Sequence, residues 1–325
     1  MKTKVKEAAT IGYDLFGEVI IQDPLLRERF MEVPFSVLDT KTASWQTRRR
    51  MWIAKGIKSE VGRDGNLTFA ASAQSPGVYE FRNKLREEMG RDPTWEEITE
   101  KSKEAGINLM TGTSIFDPAL TELLYHWFCP SNGLILDCFA GGSVRGIVGN
   151  YLGYKYTGIE LRPEQVDANR ENALEILDVN NQPQWYQGDS DQVLDGDWKQ
   201  EFDFLFSCPP YFNLEIYSDY PEDLSNMPYD LFQSKYRSII KKAVRLLKPE
   251  SYACFVVSPI RTKFGFYINL VGETVDAFAA AGCGFYNDAI LLNQIGSAAI
   301  RANRQFRAGQ KLVRIHQNVL IFKKI

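Results

Sequence analysis

Three carboxylates stand where three successive apolar runs end: Asp137 closes LILD, Glu160 closes KYTGIE, and Asp189 follows QWYQG. Ionised carboxylates only accept hydrogen bonds, so a row of them suits a ligand rich in hydroxyl and amino groups. Gly141 and Gly142, just after the first run, allow a sharp bend and a close approach of backbone to ligand. Glu160 comes nineteen residues after Gly141, a spacing that suits a carboxylate accepting both hydroxyls of an adenosine ribose. Asp189 is then positioned to accept from an adenine amino group. The run AGGSVRG lacks the G-x-G-x-x-G spacing of a dinucleotide site, and no Gly-Lys-Ser or Gly-Lys-Thr of a phosphate-binding loop follows. The competing reading is a tight strand-to-helix turn without a ligand, which a glycine pair alone does not exclude. A second turn, SCPPY at Ser207 to Tyr211, ends a further apolar run and has the character of the rim of a base-sized pocket.

The elements that must position these turns follow from the apolar patterning. LILDCF, KYTGIEL, QWYQGD, DFLFSC, YACFVVS, DAILLNQ and QNVLIFKK read as strands. Helices are expected over Ser143 to Tyr151, from Pro163 to about Asp178, over Tyr229 to Leu247, and near Asn269 to Ala281. Strands separated by helices imply a mostly parallel sheet covered on both faces, and ligands of such sheets bind at the carboxyl ends of the strands.

LILDCFAGGS followed by GIEL, GDS and SCPPY resembles the class I S-adenosylmethionine-dependent methyltransferases, specifically the phage and bacterial DNA amino-methyltransferases that modify adenine N6 or cytosine N4. The resemblance covers roughly residues 110 to 325, and the four motifs in order carry it. It implies an α/β fold, a Rossmann-like seven-stranded class I methyltransferase sheet, with residues 1–109 as an N-terminal, mainly helical extension that serves DNA binding and 110–325 as the catalytic domain. It also implies that Asp137, Phe139, Gly141 and Gly142 surround the methionine part of S-adenosylmethionine, with Ser143 and Leu161 in the same cofactor set. Glu160 would hold the ribose and Asp189 would read the adenine. Thr113, Ser114, Phe116 and Asp117, in TGTSIFDP, resemble the segment that closes over the cofactor's carboxylate end.

An enzyme of this type extrudes its target base from the duplex. Tyr211 would stack on that base, while the Pro209 carbonyl and a polar side chain before the pair Pro209-Pro210 would accept from its amino group. The family has Asp, Asn or Ser just before the prolines, and this chain has Cys208, a weak acceptor; Ser207 or a loop carboxylate would have to assist. Cys208 as a nucleophile for cytosine carbon-5 methylation is an alternative, as is a buried cysteine with no redox role. An RNA base methyltransferase and a catalytically silent DNA-binding relative are the other readings.

Net charge is −3, yet two segments are strongly basic. From Lys41 to Arg63 there are seven Lys or Arg, among them Arg48, Arg49 and Arg50, against the single acid Glu60, with Trp45 and Trp52 interleaved. Cations beside aromatics suit a phosphate backbone and exposed bases; the alternative is a solvated basic helix whose tryptophans pack inward. A helical pair, Val78 to Met89 and Thr94 to about Ala105, could read DNA or serve as scaffold. The second basic segment carries Arg301, Arg304, Arg307, Lys311 and Arg314, with no acid after Asp288, and suits a loop that clamps a DNA backbone. Between the prolines and Asp230 lies an acidic insertion, a mobile lid or a solvated loop. Five scattered cysteines without a C-x-x-C pair and only two histidines suggest neither a disulfide framework nor a metal site. No apolar run approaches the roughly 18 residues of a membrane span, and the N-terminus lacks a signal-peptide core, so a cytoplasmic protein is expected. The expected partner is double-stranded DNA, in the setting of restriction-modification or a phage, with a homodimer left open.

Overall fold

The computed structural model describes residues 11–13, 19–21, 30–58, 76–91, 93, 97–98, 100–101, 116–212, 218, 220–262, 264–293 and 298–325. In chain order the elements are β1 (Ile11–Tyr13), β2 (Val19–Ile21), β3 (Val37–Asp39), α1 (Ala43–Ala54), α2 (Pro76–Met89), α3 (Pro118–Phe128), β4 (Leu134–Asp137), α4 (Val144–Tyr151), β5 (Lys155–Glu160), α5 (Pro163–Ile176), β6 (Gln184–Gln187), the one-turn α6 (Ser190–Val193) and β7 (Phe202–Ser207). There follow α7 (Tyr229–Arg245), β8 (Leu247–Val257), β9 (Ile260–Arg261), β10 (Tyr267–Ile268), α8 (Leu270–Ala280), β11 (Cys283–Leu292), α9 (Ala298–Gly309) and β12 (His316–Lys324). Most of the second helix expected of the N-terminal pair, Thr94 to about Ala105, lies outside the described residues.

The main sheet runs β3-β11-β12-β8-β7-β4-β5-β6. Pairing is parallel from β8 through β7, β4 and β5 to β6, and β12 lies antiparallel to both β8 and β11. The sheet therefore has eight strands rather than the expected seven. The extra one is β3, from the N-terminal segment, whose Val37, Leu38 and Asp39 run parallel to Ile290, Leu291 and Leu292 of β11. Apolar residues at 37 and 38 are too few to read as a strand alone, and only the open edge of β11 makes them one.

The period of two along each strand explains why both faces are covered. Ile135, Phe204, Phe206, Cys254, Val256, Val319 and Ile321 point to one side, with α3, α4 and α5. Leu136, Leu205, Ala253, Phe255, Val257, Leu320 and Phe322 point to the other, with α7 and α8. Phe278 of α8 stacks on Phe322 with ring centroids 4.0 Å apart. Two helices of the first layer start as their sequences dictate. Asp117 caps α3 by accepting from Ala119 N at 2.8 Å, ahead of Pro118 in the first turn, and Pro163 opens α5.

Helix α1 lies against α3. Trp45 and Trp52 are buried; their indole N–H groups donate to Asp117 Oδ2 at 2.9 Å and to Glu122 Oε2 at 2.7 Å. Inward packing thus takes these rings away from any exposed base, correcting the reading of them as a stacking surface. A large apolar ring gains by burial once its N–H has a partner, and the carboxylates at the cap and first turns of α3 supply one to each indole. The basic segment at residues 301–314 is also not the expected loop. Most of it is the amphipathic helix α9, which its Ala and Arg content favours.

Candidate active site at the carboxyl edge of the sheet

Strands β4 and β7 are neighbours although β5 and β6 lie between them in sequence, so chain order reverses here, and it is at the carboxyl ends of such a pair that open α/β sheets bind ligands. Asp137 and Ser207 end these two strands, both with no exposed surface. The Ser207 hydroxyl donates to Asp137 Oδ1 at 2.6 Å and accepts from Phe139 N at 3.0 Å. Phe139 N also donates to Oδ1, at 3.1 Å. Asp137 Oδ2 accepts from Arg145 Nε at 2.6 Å and from the Tyr156 hydroxyl at 2.7 Å. Four protein donors therefore meet a carboxylate that has about four acceptor positions. Asp137 and Ser207, expected in the cofactor and catalytic sets, here bond to protein partners. Both are consumed in holding the two turns together.

Arg145, which the motif reading passed over, is the centre of that network. It projects from α4, and its Nη2 donates to the carbonyls of Phe139 at 2.7 Å and Ala140 at 2.9 Å. Its guanidinium lies 4.5 Å over the Phe116 ring, which packs edge-on against Phe206. Burial works to lower the Arg145 pKa, but Asp137, then Tyr156 and Cys208, hold it above the ordinary value. Burial, reinforced by Asp137, pushes the Tyr156 phenol well up, so it stays a donor. The sequence did carry a signal: an arginine in VRGIVGNY, a helix otherwise lacking charge, must find a buried partner.

Gly141 has φ +53°, a conformation glycine adopts without strain. Its N–H donates to Glu160 Oε2 at 2.9 Å, and its carbonyl accepts from Asn169 Nδ2 of α5 at 2.7 Å. Glu160 Oε1 accepts from Arg162 N at 3.1 Å, and the side chain keeps 12% of its surface exposed beside the turn. Gly142 and Leu161 are half-buried in the same rim, and the Leu161 carbonyl accepts from Gln187. Ser143 turns inward instead: its hydroxyl lies 2.9 Å from Asn172 Oδ1 and 3.2 Å from the Lys58 carbonyl, so it ties the N-terminal segment to the core. Asp189 caps α6 through Asp191 N at 3.0 Å and pairs with Lys235 of α7 at 2.9 Å. Phe139 stacks on Tyr236, 6.1 Å away. Asp117 is occupied by the α3 cap and Trp45. Thr113 and Ser114 lie outside the described residues.

At the second turn Pro209 is buried, while Cys208, Pro210 and Tyr211 are half-buried. The Cys208 sulfur lies 3.9 Å from the Tyr211 hydroxyl. That hydroxyl accepts from Gln317 Nε2 at 2.8 Å and donates to the Val256 carbonyl at 3.4 Å. Phe212 follows with φ +46°, a left-handed backbone that costs a bulky residue about 1–3 kcal/mol. The rings of Tyr229 and Phe232, 5.3 and 5.2 Å away, hold it there.

Of the basic residues, Arg48 pairs with Glu122 at 2.9 Å, and Arg50 donates to Gln46 O and Thr47 Oγ1. Arg49 is half-buried on the same helix. Arg304, Arg307 and Lys311 are on or just after α9; Arg304 and Arg307 are exposed and border a surface depression with Asn303 and Ala308. The Arg301 side chain lies outside the described residues. Arg314 reaches back to the His316 carbonyl and Asn318; burial lowers its pKa, with Tyr267 and Tyr211 acting the other way. In the acidic insertion, Asp223 is buried and accepts from Ser218 and Ser225. Among the described residues no group of three or more Cys, His, Asp or Glu is arranged to hold a metal ion, and no helix is long and apolar enough to cross a membrane.

The fold is a doubly wound α/β sheet whose strand order reverses between β4 and β7. No family model matches the chain, and no curated protein matches it either. Solved structures do. TrmN from Thermus thermophilus is 13% identical at TM-score 0.43, over 65% of this chain and 49% of that one, so this chain spans about half its length. Magnesium protoporphyrin IX methyltransferase from Synechocystis PCC 6803, solved with S-adenosylmethionine bound, is 11% identical at TM-score 0.41, over 79% and 95%. A second protein of Thermus thermophilus, named as a candidate DNA modification methylase, is 17% identical at TM-score 0.32, over 42% and 50%. These are resemblances of architecture, and the chemistry of this chain stands on its own residues.

Proposed function

We propose that this protein is an S-adenosylmethionine-dependent methyltransferase that modifies an exocyclic amino group, cytosine N4 or adenine N6, on a base extruded from duplex DNA. The observation that carries the reading is the joining of two turns through one carboxylate, with Glu160 rimming the first turn and the proline pair and Tyr211 forming the second. The residues of the first turn fit the cofactor. Gly141 has no Cβ on its left-handed turn, and Glu160 is aimed by Gly141 N and Arg162 N with part of its surface exposed. Glu160 would accept the ribose hydroxyls, and Asp189, at the next strand end, would face the adenine. Bound there, the cofactor supplies an electrophilic methyl group on a sulfonium.

The chain's own part is positioning. Tyr211, its hydroxyl fastened by Gln317 from β12, presents a ring of fixed orientation for stacking on a base, a contact worth about 1–3 kcal/mol. With Ser207 committed to Asp137 and a thiol at Cys208, the Pro209 carbonyl is the strongest acceptor left at the turn for the amino group. Holding that nitrogen in line with the methyl group supplies the acceleration, together with the loss of positive charge from the sulfur on transfer. Arg304, Arg307, Lys311 and Arg314 would meet the phosphates.

Incubation with methyl-labelled cofactor and duplex DNA, followed by nucleoside mass analysis, tests this. Label on N4-methylcytosine or N6-methyladenine is the expected result. Label on cytosine carbon 5, on RNA only, or on nothing refutes it.

A further inference from the structure

Strands β9 and β10 form a short antiparallel hairpin, Arg261 opposite Tyr267 and Ile260 opposite Ile268. It projects from the carboxyl end of β8, the edge that carries SCPPY, because β8 runs parallel to β7. Its base is anchored: Ile260 is buried, and Ile268 packs on the core. Its tip is braced by Gly265 N to Thr262 O at 2.9 Å, Thr262 N to Phe266 O at 2.8 Å, and Arg261 Nη1 to Gly265 O at 2.7 Å. The Arg261 guanidinium lies 4.0 Å from the Tyr267 ring centre. On this braced tip Phe264 and Phe266 each keep 75% of their surface exposed, and Tyr267 keeps 46%. Single exposed hydrophobic residues are ordinary, but two phenylalanines on one hydrogen-bonded tip are not.

The surroundings of the tip are cationic. Arg261 belongs to the hairpin, and a Cβ at Gly265 would sit 2.9 Å from Lys311 Nζ, so the ammonium rests against the turn. The segment that carries Lys311 also brings Arg304, Arg307 and Arg314, and neither residues 258–268 nor residues 298–318 contain an acid. Helix α9 and Lys311 lie between β11, which ends at this edge, and β12, which begins there and holds Tyr211 through Gln317. Hairpin, cations and candidate base turn therefore share one rim.

We propose that the β9–β10 hairpin is a stacking wedge: Phe264 and Phe266 enter the base stack of duplex DNA next to the target nucleotide while Arg261 and Lys311 hold the flanking phosphates. This rests on the reading of DNA as substrate. Apolar wedges between base steps unstack and kink a duplex at a cost of a few kcal/mol per step, which the phosphate contacts offset. An anionic membrane surface would also accept two phenylalanines flanked by cations, but it would not account for their place beside the base-sized turn, which duplex DNA does.

The test is the double variant F264A/F266A, whose exposed positions should leave the melting temperature unchanged, compared with the unaltered protein on plasmid duplex and on the same DNA heat-denatured. The wedge predicts methyl transfer to duplex falling about tenfold or more in the variant, with transfer to single strands within about twofold of the unaltered protein. An equal effect on both substrates, or none on either, overturns the wedge and leaves the DNA reading standing. An unaltered protein that methylates no DNA, or RNA alone, overturns both. If neither protein uses single strands, permanganate oxidation of unstacked thymines in the bound duplex decides: raised by the unaltered protein and at the free-DNA level with the variant supports the wedge, and equal reactivity refutes it.

Discussion

Replacing Arg145 by Met should unfasten the turn at residues 139–141. The substitution preserves an unbranched stem but removes the Nε bond to Asp137 at 2.6 Å and the Nη2 bonds to the Phe139 and Ala140 carbonyls at 2.7 and 2.9 Å. Asp137 is left with Tyr156, Ser207 and Phe139 N as donors and no countercharge, in a site with no exposed surface. Breaking a buried ion pair by removing one partner costs about 3–5 kcal/mol. For a chain of this size that is a fall in melting temperature of about 4–7 °C. Urea unfolding gives the free energy, and a double-mutant cycle with Asp137→Asn should return a coupling of about 2 kcal/mol, since the two side chains share the lost bond. Titration calorimetry with S-adenosylmethionine supplies the second readout: affinity should fall because the 139–141 backbone loses its fastening. A loss of stability below about 1 kcal/mol would refute the role given to the guanidinium. A large loss with unchanged cofactor affinity would separate the turn from the cofactor site.

Glu160→Gln keeps the shape of the side chain and removes its charge, so charge-assisted bonds to two ribose hydroxyls weaken; S-adenosylmethionine affinity should fall by about tenfold or more in calorimetry, and an unchanged affinity would remove Glu160 from the site. Arg304→Gln with Arg307→Gln should lower the slope of log affinity against log salt by about two for duplex DNA, with no change in the melting temperature; an unchanged slope takes α9 off the phosphates. Alkaline stability has a defined sign. Burial pushes the Cys283 thiol up to about 11 and the Cys129 thiol up to about 12, against about 8.5 in an unfolded chain. Folded-state values above unfolded ones stabilise fully below the unfolded pKa, so the unfolding free energy should decline from about pH 8.5 towards pH 11. A Cys129→Ala, Cys283→Ala variant should show a shallower decline, and an identical slope would dissociate the effect from these thiols.

The sheet was legible in the sequence because its strands are buried on both faces and punctuated by glycine and proline turns. LILD, KYTGIE and DFLFS appear close to their expected ends. What escaped was decided by partners distant in sequence. Residues 37–39 are a strand only because the edge of β11 accepts them. Trp45 and Trp52 look like base-stacking residues until Asp117 and Glu122, 72 and 70 positions away, satisfy their indoles. The site divides in the same way. The nearness of Gly141 to Glu160 was legible because spacing alone sets them one strand apart. The partners of Asp137, Ser207 and Ser143 were not, because a motif names a side chain without saying which of several donors and acceptors it faces. Arg145 carried the clearest unused signal, since an arginine among apolar residues of a buried helix cannot be solvated and must be paired.

The saturation of Asp137 changes what the first strand-end acid does. Its Oδ1 receives the hydroxyl of Ser207, at the head of the proline turn, and the N–H of Phe139, in the glycine turn. Its Oδ2 receives Arg145, which in turn grips the carbonyls at 139 and 140. One buried carboxylate thus sets the separation of the two turns. On the proposed reading these turns hold the methyl donor and its acceptor, and a misplacement of about 1 Å between reacting groups can cost a hundredfold in rate. An acid that touched the cofactor alone could drift with it. An acid that ties both turns to each other fixes the distance along which the methyl group must travel, which is the quantity that in-line transfer requires. On the same reading Ser207 would serve better as a buried strut than as an acceptor, because its hydroxyl already joins β7 to β4.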